Sequence, residues 1–341
     1  MINPSFPLVE LHRHLDGNIR LETVLDLGLR YNIPLPAKDI EGLRPFVQVT
    51  DPQPGVMDFI AKFQWPMAVL VNQEAVYRVA YENVQDAQKD GIDYIELRFS
   101  PWFMAEANHL DPEEVVDAVV DGAIAGERDF GICVNLIGIL SRTYGPKTAK
   151  LELNALLSHS HQIVALDLAG DEAHFPAHLF REHFHKGRDA GWHITAHAGE
   201  IAGAESIWSA ISDLGAERIG HAIRAIDDPV LMDYLSEHHI GVESCLTSNV
   251  QTSCVTDYPS HPLRRFLEHG IPVTINTDDP GISGINLPYE YSIASSQAGL
   301  TIEQLTQVQK NALDVSFLSE RERILLQSRK PGGSFNETGS L

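Results

Sequence analysis

The stretch Ala190–Glu200, with the sequence AGWHITAHAGE, joins a glycine, an apolar run and a cluster of polar side chains. Glycine readily adopts the left-handed backbone conformation that closes a helix, so a helical segment is predicted to end at Gly191. The run that follows predicts a buried strand over His193–His197, which would deliver His197 and Glu200 at its carboxyl end. Helix, glycine and strand in this order are typical of the αβ junctions of a parallel sheet.

The same junction recurs along the chain. It is found at Asp90-Gly91-Ile92, Phe130-Gly131-Ile132 and His269-Gly270-Ile271. The apolar runs give eight predicted strands, namely Leu8–His12, Tyr94–Phe99, Cys133–Ile139, Ile163–Leu168, His193–His197, Arg218–His221, Ile240–Glu243 and Pro272–Thr277. Helical patterns lie between most of them. One helix is predicted to be capped by Asp111, and another to begin with a capping box of Thr301 and Gln304.

Two folds accommodate strands that alternate with helices, a closed (β/α)8 barrel and a doubly wound open sheet. The polar clusters follow the first, fifth, sixth and eighth strands, and only a closed barrel must place the eighth strand beside the first. No Gly-x-Gly-x-x-Gly motif follows any strand. The predicted fold class is therefore α/β, a TIM-type barrel that forms one domain over residues 1–330, with a flexible tail over residues 331–341.

The connection between the first two predicted strands is far longer than the others. Residues 15–90 carry at least three helical patterns, at Leu21–Arg30, Val56–Val71 and Glu74–Lys89. Because this insertion starts directly after the first polar cluster, we expect its first part to form a lid that excludes water from the barrel mouth. The alternative is a helical insertion with a purely structural role.

Composition argues against several classes of function. The 341 residues include 25 Lys and Arg against 47 Asp and Glu, a net charge of −22 that repels phosphate backbones, so nucleic acid is not an expected partner. No apolar run of about 18 residues predicts a membrane span. Three cysteines without a Cys-x-x-Cys pair indicate the reduced thiols of a cytoplasmic protein. No obligate protein partner is implied.

The polar clusters at the predicted strand ends have the composition of a metal site. His12 and His14 are two residues apart, so both face the same side of an extended chain. His197 and one of the neighbouring carboxylates, Asp278 or Asp279, would complete the set. Imidazole nitrogens suit Zn²⁺, Fe²⁺, Co²⁺ and Ni²⁺. We favour one Zn²⁺ per chain, which would lower the pKa of a bound water to about 7.

Other polar residues allow more than one interpretation. Glu200 is well placed as a general acid or base, although a helix beginning just beyond it would make it a partner of the helix dipole. His221 ends the sixth strand and could be a metal ligand, a base or an electrostatic anchor. Neighbouring residues on a strand point in opposite directions, so one of Asp278 and Asp279 is expected to bind metal and the other substrate.

The chain resembles the adenosine deaminases of the amidohydrolase superfamily over nearly its full length. Six motifs carry the resemblance: Glu10-Leu11-His12-Arg13-His14-Leu15-Asp16-Gly17, Asp167-Leu168-Ala169-Gly170-Asp171-Glu172, His197-Ala198-Gly199-Glu200, Gly220-His221-Ala222, Thr247-Ser248-Asn249 and Asn276-Thr277-Asp278-Asp279-Pro280. The resemblance implies a (β/α)8 barrel, a zinc-dependent hydrolase of purine salvage, and a small purine nucleoside as its substrate.

The resemblance also implies a role for the motif residues that would perform the reaction. The zinc ligands would be His12, His14, His197 and Asp278. Glu200 would protonate the purine at N1. His221 would orient, and help to deprotonate, the zinc-activated water that attacks C6. Together these residues would hydrolyse adenosine and 2′-deoxyadenosine to inosine and 2′-deoxyinosine plus ammonia.

The same resemblance places the substrate. Asp16 would bind the ribose hydroxyls, the backbone of Gly170 would contact N3, and Asp279 would bond with N7, while His14 would line the substrate site as well as bind metal. The alternative is an adenine deaminase that acts on the free base, because such relatives share most of the motifs. The relatives that are specific for the base tend to carry Glu at the position of Asp16.

Overall fold

Eight parallel strands follow one another in chain order around a single sheet in the computed structural model, which describes residues 2–331. The strands are β1 (Val9–His14), β2 (Tyr94–Phe99), β3 (Cys133–Ser141), β4 (Ile163–Ala169), β5 (His193–Ala198), β6 (Arg218–His221), β7 (Gly241–Ser244) and β8 (Val273–Ile275). All eight predicted strands are present, and their carboxyl ends meet at one end of the sheet. The predicted tail lies outside the described residues, apart from Pro331.

The sheet closes where the segment after β8 meets β1. The backbone N–H of His14 donates to the carbonyl of Asp278 at 2.8 Å, and the N–H of Asp278 donates to the carbonyl of His12 at 2.9 Å. The N–H of Leu11 donates to the side-chain oxygen of Asn276 at 2.9 Å. This closure confirms the predicted barrel over the open sheet, and it places the polar clusters of the two segments side by side.

The first and last strands have different bounds from those predicted. β1 extends to His14 instead of ending at His12, and its pairing with β2 shifts register after Glu10. β8 ends at Ile275, because the backbone N–H and Oγ1 of Thr277 donate to the Glu10 carboxylate, at 2.8 and 2.5 Å, instead of continuing the ladder. A buried side chain therefore replaces the last rung of the predicted eighth strand.

Residues 2–331 contain seventeen α-helices. They are α1 (Leu21–Arg30), α2 (Ile40–Val47), α3 (Val56–Ile60), α4 (Gln64–Ala68), α5 (Gln73–Lys89), α6 (Pro101–Glu106), α7 (Pro112–Phe130), α8 (Gly145–Leu157), α9 (Arg181–Asp189), α10 (Ala204–Ser209), α11 (Pro229–Glu237), α12 (Leu246–Gln251), α13 (Leu263–Glu268), α14 (Pro280–Ser283), α15 (Leu287–Ser296), α16 (Ile302–Asp314) and α17 (Glu320–Ser328). A π-helical turn over Ala210–Leu214 follows α10. Across the described part of the chain, no helix is both long and apolar enough to cross a bilayer.

The helix ends that the sequence predicted are confirmed. Asp111 accepts the N–H of Glu113 at the start of α7, and Thr301 and Gln304 form a reciprocal capping box at the start of α16. The glycines of the four predicted junctions have φ between 72° and 85°, the left-handed region: Gly91, Gly131, Gly191 and Gly270. Local sequence therefore determines where these helices stop and the strands begin.

The long insertion after β1 contains five helices, α1 to α5. The predicted continuous helix over Val56–Val71 is wrong, because a 3₁₀ turn over Ala61–Phe63 separates α3 from α4. Pro66 has no N–H to bond with the preceding turn, and its ring crowds the carbonyl four residues earlier, which accounts for the break.

Ion pairs fill the interior of the barrel, where such barrels usually have layers of branched aliphatic side chains. Arg98 of β2 and Arg218 of β6 are fully buried and donate to Glu243 of β7 at 2.8 and 2.7 Å. Arg98 also donates to Asp167 of β4 at 2.9 Å, and Arg218 donates to Glu96 of β2 at 2.5 Å. Every charge in this group has an oppositely charged partner, which offsets the cost of removing it from water.

Candidate active site

Four side chains that the sequence singled out meet at the carboxyl end of the barrel. Asp278 Oδ1 lies close to two imidazole nitrogens, 3.0 Å from His12 Nε2 and 3.2 Å from His14 Nε2. The Nε2 atom of His197 lies 3.2 Å from that of His14. One donor atom from each of the four residues lies within 4.8 Å of the others, so together they could hold a metal ion.

The nitrogens that point away from the cluster on two of the imidazole rings also indicate a metal site. His12 Nδ1 lies 2.7 Å from the carboxylate of Glu243, and His197 Nδ1 lies 3.0 Å from that of Asp167. Ionised carboxylates only accept hydrogen bonds, so both Nδ1 atoms carry the proton and both Nε2 atoms turn a lone pair towards the cluster. His12 Nε2 is buried and has no hydrogen-bond partner. A divalent cation is the group that fits between these lone pairs.

The charge states of His197 and of the carboxylate behind His12 favour metal binding. For His14, the effect of burial is instead outweighed by Asp279, Asp16 and Asp278, which together raise its pKa well above its usual range. Burial lowers the pKa of His197 to about 3, although Asp167 opposes the shift, so the ring stays neutral and able to act as a ligand. Burial would raise the pKa of Glu243, but Arg98 and Arg218 hold it well below its usual range. The carboxylate of Glu243 therefore stays ionised and holds the imidazole of His12 in its orientation.

Glu200 lies beside the cluster, in the loop between β5 and α10. It precedes the first residue of α10, Ala204, by four positions, so it is not in the first turn of that helix. Its Oε2 lies 3.8 Å from His221 Nε2, and its Oε1 lies 3.8 Å from Cys254 Sγ. Burial raises the pKa of Glu200, although His221 opposes the shift. This carboxyl group can therefore carry a proton closer to neutral pH than an exposed glutamate can.

A second carboxylate, Glu172, holds the loop that carries Glu200. It is 5% exposed and accepts four consecutive backbone N–H groups: Gly199 at 2.5 Å, Glu200 at 3.2 Å, Ile201 at 2.8 Å and Ala202 at 3.1 Å. Charge-assisted bonds to an ionised acceptor are the stronger kind. Glu172 thus fixes the path of the backbone on which Glu200 stands.

His221 ends β6 in the left-handed region, with φ 63°, and Asp278 adopts φ 64°. For residues with a Cβ this conformation is uncommon, and it concentrates at functional sites. His221 Nε2 faces Asp278 Oδ2 at 3.8 Å, while its Nδ1 lies 3.0 Å from the side-chain nitrogen of Asn249. Nothing in the local sequence predicts either backbone conformation.

The remaining predicted residues line a cleft of about 860 Å³, a volume that includes the solvent at its mouth. Asp16 accepts the backbone N–H of Ser100 at 3.3 Å. Burial and the charge of Asp278 raise the pKa of Asp279 well above its usual range, so Asp279 can donate a hydrogen bond. A Cβ on Gly17 would lie 1.7 Å from Asp279 Oδ1, so glycine is required beside that carboxyl group.

The rest of the cleft wall is largely apolar. Gly170, with φ 109°, brings its backbone to the wall, where a Cβ would lie 2.4 Å from the hydroxyl oxygen of Thr143. The insertion contributes side chains from α3 and the turn after it: Val56, Met57, Phe59, Ile60 and Phe63. Among the described residues that line the cleft there is no lysine or arginine. A mostly apolar cleft with a few convergent polar groups is typical of a site for a small, uncharged ligand.

The residues that support the site were not found by reasoning from the sequence. Glu172 and Asn249 lie within motifs of the family resemblance, and Asp167 begins one of them. Nothing in the local sequence indicates what any of the three contacts. Glu243 and Arg98 read as ordinary residues of apolar strands. A charged residue inside an otherwise apolar strand was the available signal, because such a residue must find a buried partner.

The comparisons with known proteins agree along the whole barrel. A family model described as adenosine deaminase matches residues 7–329. An adenosine deaminase of Klebsiella pneumoniae subsp. pneumoniae is 56% identical over 333 residues, which is 98% of this chain and 100% of the relative. An adenosine deaminase of Vibrio cholerae serotype O1 is 56% identical over 329 residues, which is 96% of this chain and 98% of the relative.

Two solved structures resemble this one more distantly. An adenine deaminase from Arthrobacter aurescens superimposes with a TM-score of 0.88 at 27% identity, over 95% of this chain and 97% of the other. An N6-methyl-AMP deaminase from Arabidopsis thaliana superimposes with a TM-score of 0.80 at 25% identity, over 95% of this chain and 96% of the other. The barrel is thus common to deaminases that differ in what is attached to the purine.

Proposed function

The chain belongs to the adenosine deaminase family of the amidohydrolase superfamily and is an aminohydrolase, and on that premise we propose that it converts adenosine and 2′-deoxyadenosine into inosine and 2′-deoxyinosine plus ammonia. The observation that carries the proposal is the position of Glu200. Its protonatable carboxyl group stands beside four metal-binding side chains, at the end of a cleft without cationic side chains. Hydrolysis at C6 of a purine needs a nucleophilic water and a proton donor, and this cleft offers residues suited to supply both.

We propose that His12, His14, His197 and Asp278 hold one Zn²⁺ per chain. Three imidazoles and a carboxylate are a donor set that Zn²⁺ accepts, and the hydrogen bonds from Nδ1 to Glu243 and Asp167 are typical of such sites. Bound there, the ion would lower the pKa of a water molecule and so supply a nucleophile at neutral pH.

The proton transfer is the task of Glu200. Burial raises the pKa of Glu200 and so favours the protonated carboxyl group, from which Glu200 would donate a proton to N1 of the purine while water adds at C6. Protonation at N1 draws electrons away from C6 and makes that carbon more electrophilic. The C6–N bond then breaks: the amino group leaves as ammonia with one proton of the added water, and the other water proton replaces the one that Glu200 gave up. His221 Nε2, which faces the oxygens of Glu200 and Asp278 at 3.8 Å, would orient the attacking water.

The cleft positions the purine and the sugar. N7 of adenosine is an acceptor, so it needs a donor, and the raised pKa of Asp279 allows its protonated carboxyl group to donate. The backbone N–H of Gly170 would bond with N3, and His14 would contact the ring from the metal side. Asp16, with an oxygen that has no hydrogen-bond partner, would accept from the ribose hydroxyls.

The insertion over residues 15–90 would act as a lid on this site within a single deaminase domain of residues 1–330. Its apolar side chains at the cleft, among them Phe59 and Phe63, would exclude water from the bound purine. The absence of lysine and arginine from the described cleft wall makes a 5′-phosphate an unfavourable substituent, so the expected substrate is the nucleoside and not its monophosphate.

A second candidate is the deamination of free adenine, which the structural resemblance to an adenine deaminase favours. Both functions are tested by one absorbance assay of purified protein on adenosine, 2′-deoxyadenosine, adenine and AMP. We expect the two nucleosides to be turned over with similar kcat/KM, and adenine and AMP far more slowly. Adenine as the best substrate would support the second function, and no turnover of either nucleoside would refute the first.

A further inference from the structure

The nitrogen of His221 that faces away from the cleft begins a chain of buried hydrogen bonds. His221 Nδ1 lies 3.0 Å from Asn249 Nδ2, Asn249 Oδ1 lies 3.1 Å from His261 Nε2, and the backbone N–H of Leu263 donates to His261 Nδ1 at 3.1 Å. Asn249, His221 and His261 are 0%, 1% and 4% exposed, so solvent cannot replace any of these partners. Neither Asn249 nor His261 touches the cleft.

The direction of this chain is fixed at its far end. A backbone N–H can only donate, so His261 Nδ1 must accept and cannot carry a proton. Burial lowers the pKa of His261 to about 3, and the ring is therefore neutral. A neutral imidazole with an unprotonated Nδ1 has its proton on Nε2, so His261 donates to Asn249.

The amide of Asn249 determines in turn whether His221 Nδ1 donates or accepts. Because Asn249 must accept from His261, its oxygen faces that ring and its NH₂ group faces His221. His221 Nδ1 then has to accept. In a neutral His221 the proton lies on Nε2, the nitrogen that faces the cleft.

We propose that Asn249 and His261 are positioning residues that hold His221 as the tautomer protonated on Nε2, so that His221 donates a hydrogen bond to the attacking water instead of removing its proton. The surroundings of this nitrogen agree, because a carboxylate oxygen of Asp278, which is an acceptor, lies 3.8 Å from it. The inference rests on the proposed function for the identity of the water, but not for the tautomer.

The family resemblance implies that His221 both orients the water and helps to deprotonate it, and this tautomer allows only the first role. A donor can orient the nucleophile and stabilise negative charge on its oxygen, but it cannot act as a base unless the whole chain reverses. Reversal would require the Asn249 amide to rotate and two N–H donors to face each other at Leu263 and His261. A buried donor without an acceptor cannot turn to water instead, which makes the reversed arrangement unfavourable.

The tautomer can be read directly by NMR. Purified full-length protein with its bound metal would be labelled with ¹⁵N-histidine, His221 would be assigned by comparison with His221→Gln, and long-range ¹H–¹⁵N correlations would report which nitrogen is protonated. We expect a protonated Nε2 and an unprotonated Nδ1 in the wild type at neutral pH. A proton on Nδ1 would overturn the proposal, and this result does not depend on any variant folding.

Two variants of equal size test the chain. His261→Gln can still donate to Asn249 and should leave His221 protonated on Nε2 with most of the activity retained. His261→Glu can only accept when ionised, so Asn249 should rotate and His221 should take its proton on Nδ1. Loss of the donor in the cleft should lower kcat by ~10²-fold with a much smaller change in KM. If His261→Glu does not fold, Asn249→Asp provides the same reversal, because a carboxylate accepts from both rings.

The outcomes separate this proposal from the proposed function. A wild type that deaminates no purine but has His221 protonated on Nε2 would refute the function and leave the tautomer standing. A wild type that deaminates adenosine but has His221 protonated on Nδ1 would support the function and overturn the proposed tautomer. An unchanged tautomer in both accepting variants, His261→Glu and Asn249→Asp, would show that Asn249 and His261 do not control it, and would also overturn the proposal.

Discussion

The carboxylate of Glu172 accepts the backbone N–H of Glu200 at 3.2 Å, as one of four consecutive N–H groups that it binds. A buried acid from the loop after β4 thus holds the loop after β5, on which the proposed proton donor stands. Neither Glu172 nor Glu200 could take its position without the other's loop. Four consecutive backbone N–H groups that are removed from water need an anionic acceptor.

Glu172→Gln should lower kcat by ~10- to 100-fold, because the amide presents an NH₂ group to backbone donors and the loop must shift. Metal content and KM should change little. The matched control is Glu205→Gln, which alters an exposed carboxylate in the first turn of α10 that accepts the N–H of Gly203. Steady-state kinetics and metal analysis on the two variants provide the comparison, and equal kcat values in both would show that Glu172 does not position Glu200.

Glu200→Gln should keep the shape of the site and the bound metal while lowering kcat by ~10²- to 10⁴-fold, the usual contribution of a positioned general acid. Glutamine cannot donate a carboxylic proton to N1. Binding of adenosine, measured by calorimetry, should be nearly unchanged. Turnover close to that of the wild type would mean that the proton comes from another group.

Asp16→Ala should damage the turnover of adenosine much more than that of adenine, because only the nucleoside offers hydroxyl groups to this carboxylate. A site that hydrogen-bonds a substrate hydroxyl discriminates by up to ~10⁴-fold against an analogue without it. The ratio of the two kcat/KM values, measured on wild type and variant, is the readout, and adenine serves as the internal control. An unchanged ratio would remove Asp16 from the sugar site.

Metal removal should abolish activity, and metal analysis of the purified protein should find about one divalent ion per chain. His197→Ala should lose both the ion and the activity. Glu243→Gln, which removes the charge of the carboxylate that His12 shares with Arg98 and Arg218, should weaken metal affinity by ~10- to 100-fold. Full activity after exhaustive chelation would contradict the proposed metal chemistry.

Glu290 should make the free energy of unfolding depend on pH. Burial raises its pKa from 4.5 to about 7, so the folded state binds this proton more tightly than the unfolded state does. Its contribution to stability is therefore fully present below pH 4.5 and is lost as the pH rises towards 7. Over that range, wild type should lose about 3 kcal/mol relative to Glu290→Gln, which does not ionise. Urea unfolding of both proteins at pH 5 and pH 8 measures the difference, and a constant difference would contradict the prediction.

The sequence predicted the barrel because its signals are local. Glycines such as Gly131 and Gly191 end helices by conformational preference alone, and an apolar run that follows at once has few alternatives to a buried strand. The spacing of His12 and His14 on an extended chain places both side chains on one face for the same reason. Element order and the ends that carry the site could therefore be predicted.

The bounds of β8 could not be predicted in this way, whereas the break after α3 has a local signal in Pro66. β8 stops early because Thr277 bonds with Glu10, a residue that precedes it by more than two hundred and sixty positions. Asp278, which adopts the left-handed conformation, is likewise bonded to β1, where its N–H donates to the carbonyl of His12. Such contacts depend on closure of the sheet and leave no periodic signal in either segment.

The sequence by itself determined the eight strands, their order and the polar residues at their carboxyl ends, because strand periodicity and helix termination act over a few residues. Only the tertiary structure decided which of those residues meet and in what charge state. Closure of the barrel brings Arg98, Asp167 and Glu243 from three strands into one ion-pair group beneath the histidines. Burial in that closed interior then sets their protonation, because removing a charge from water is tolerable only where a partner from another strand is already in place.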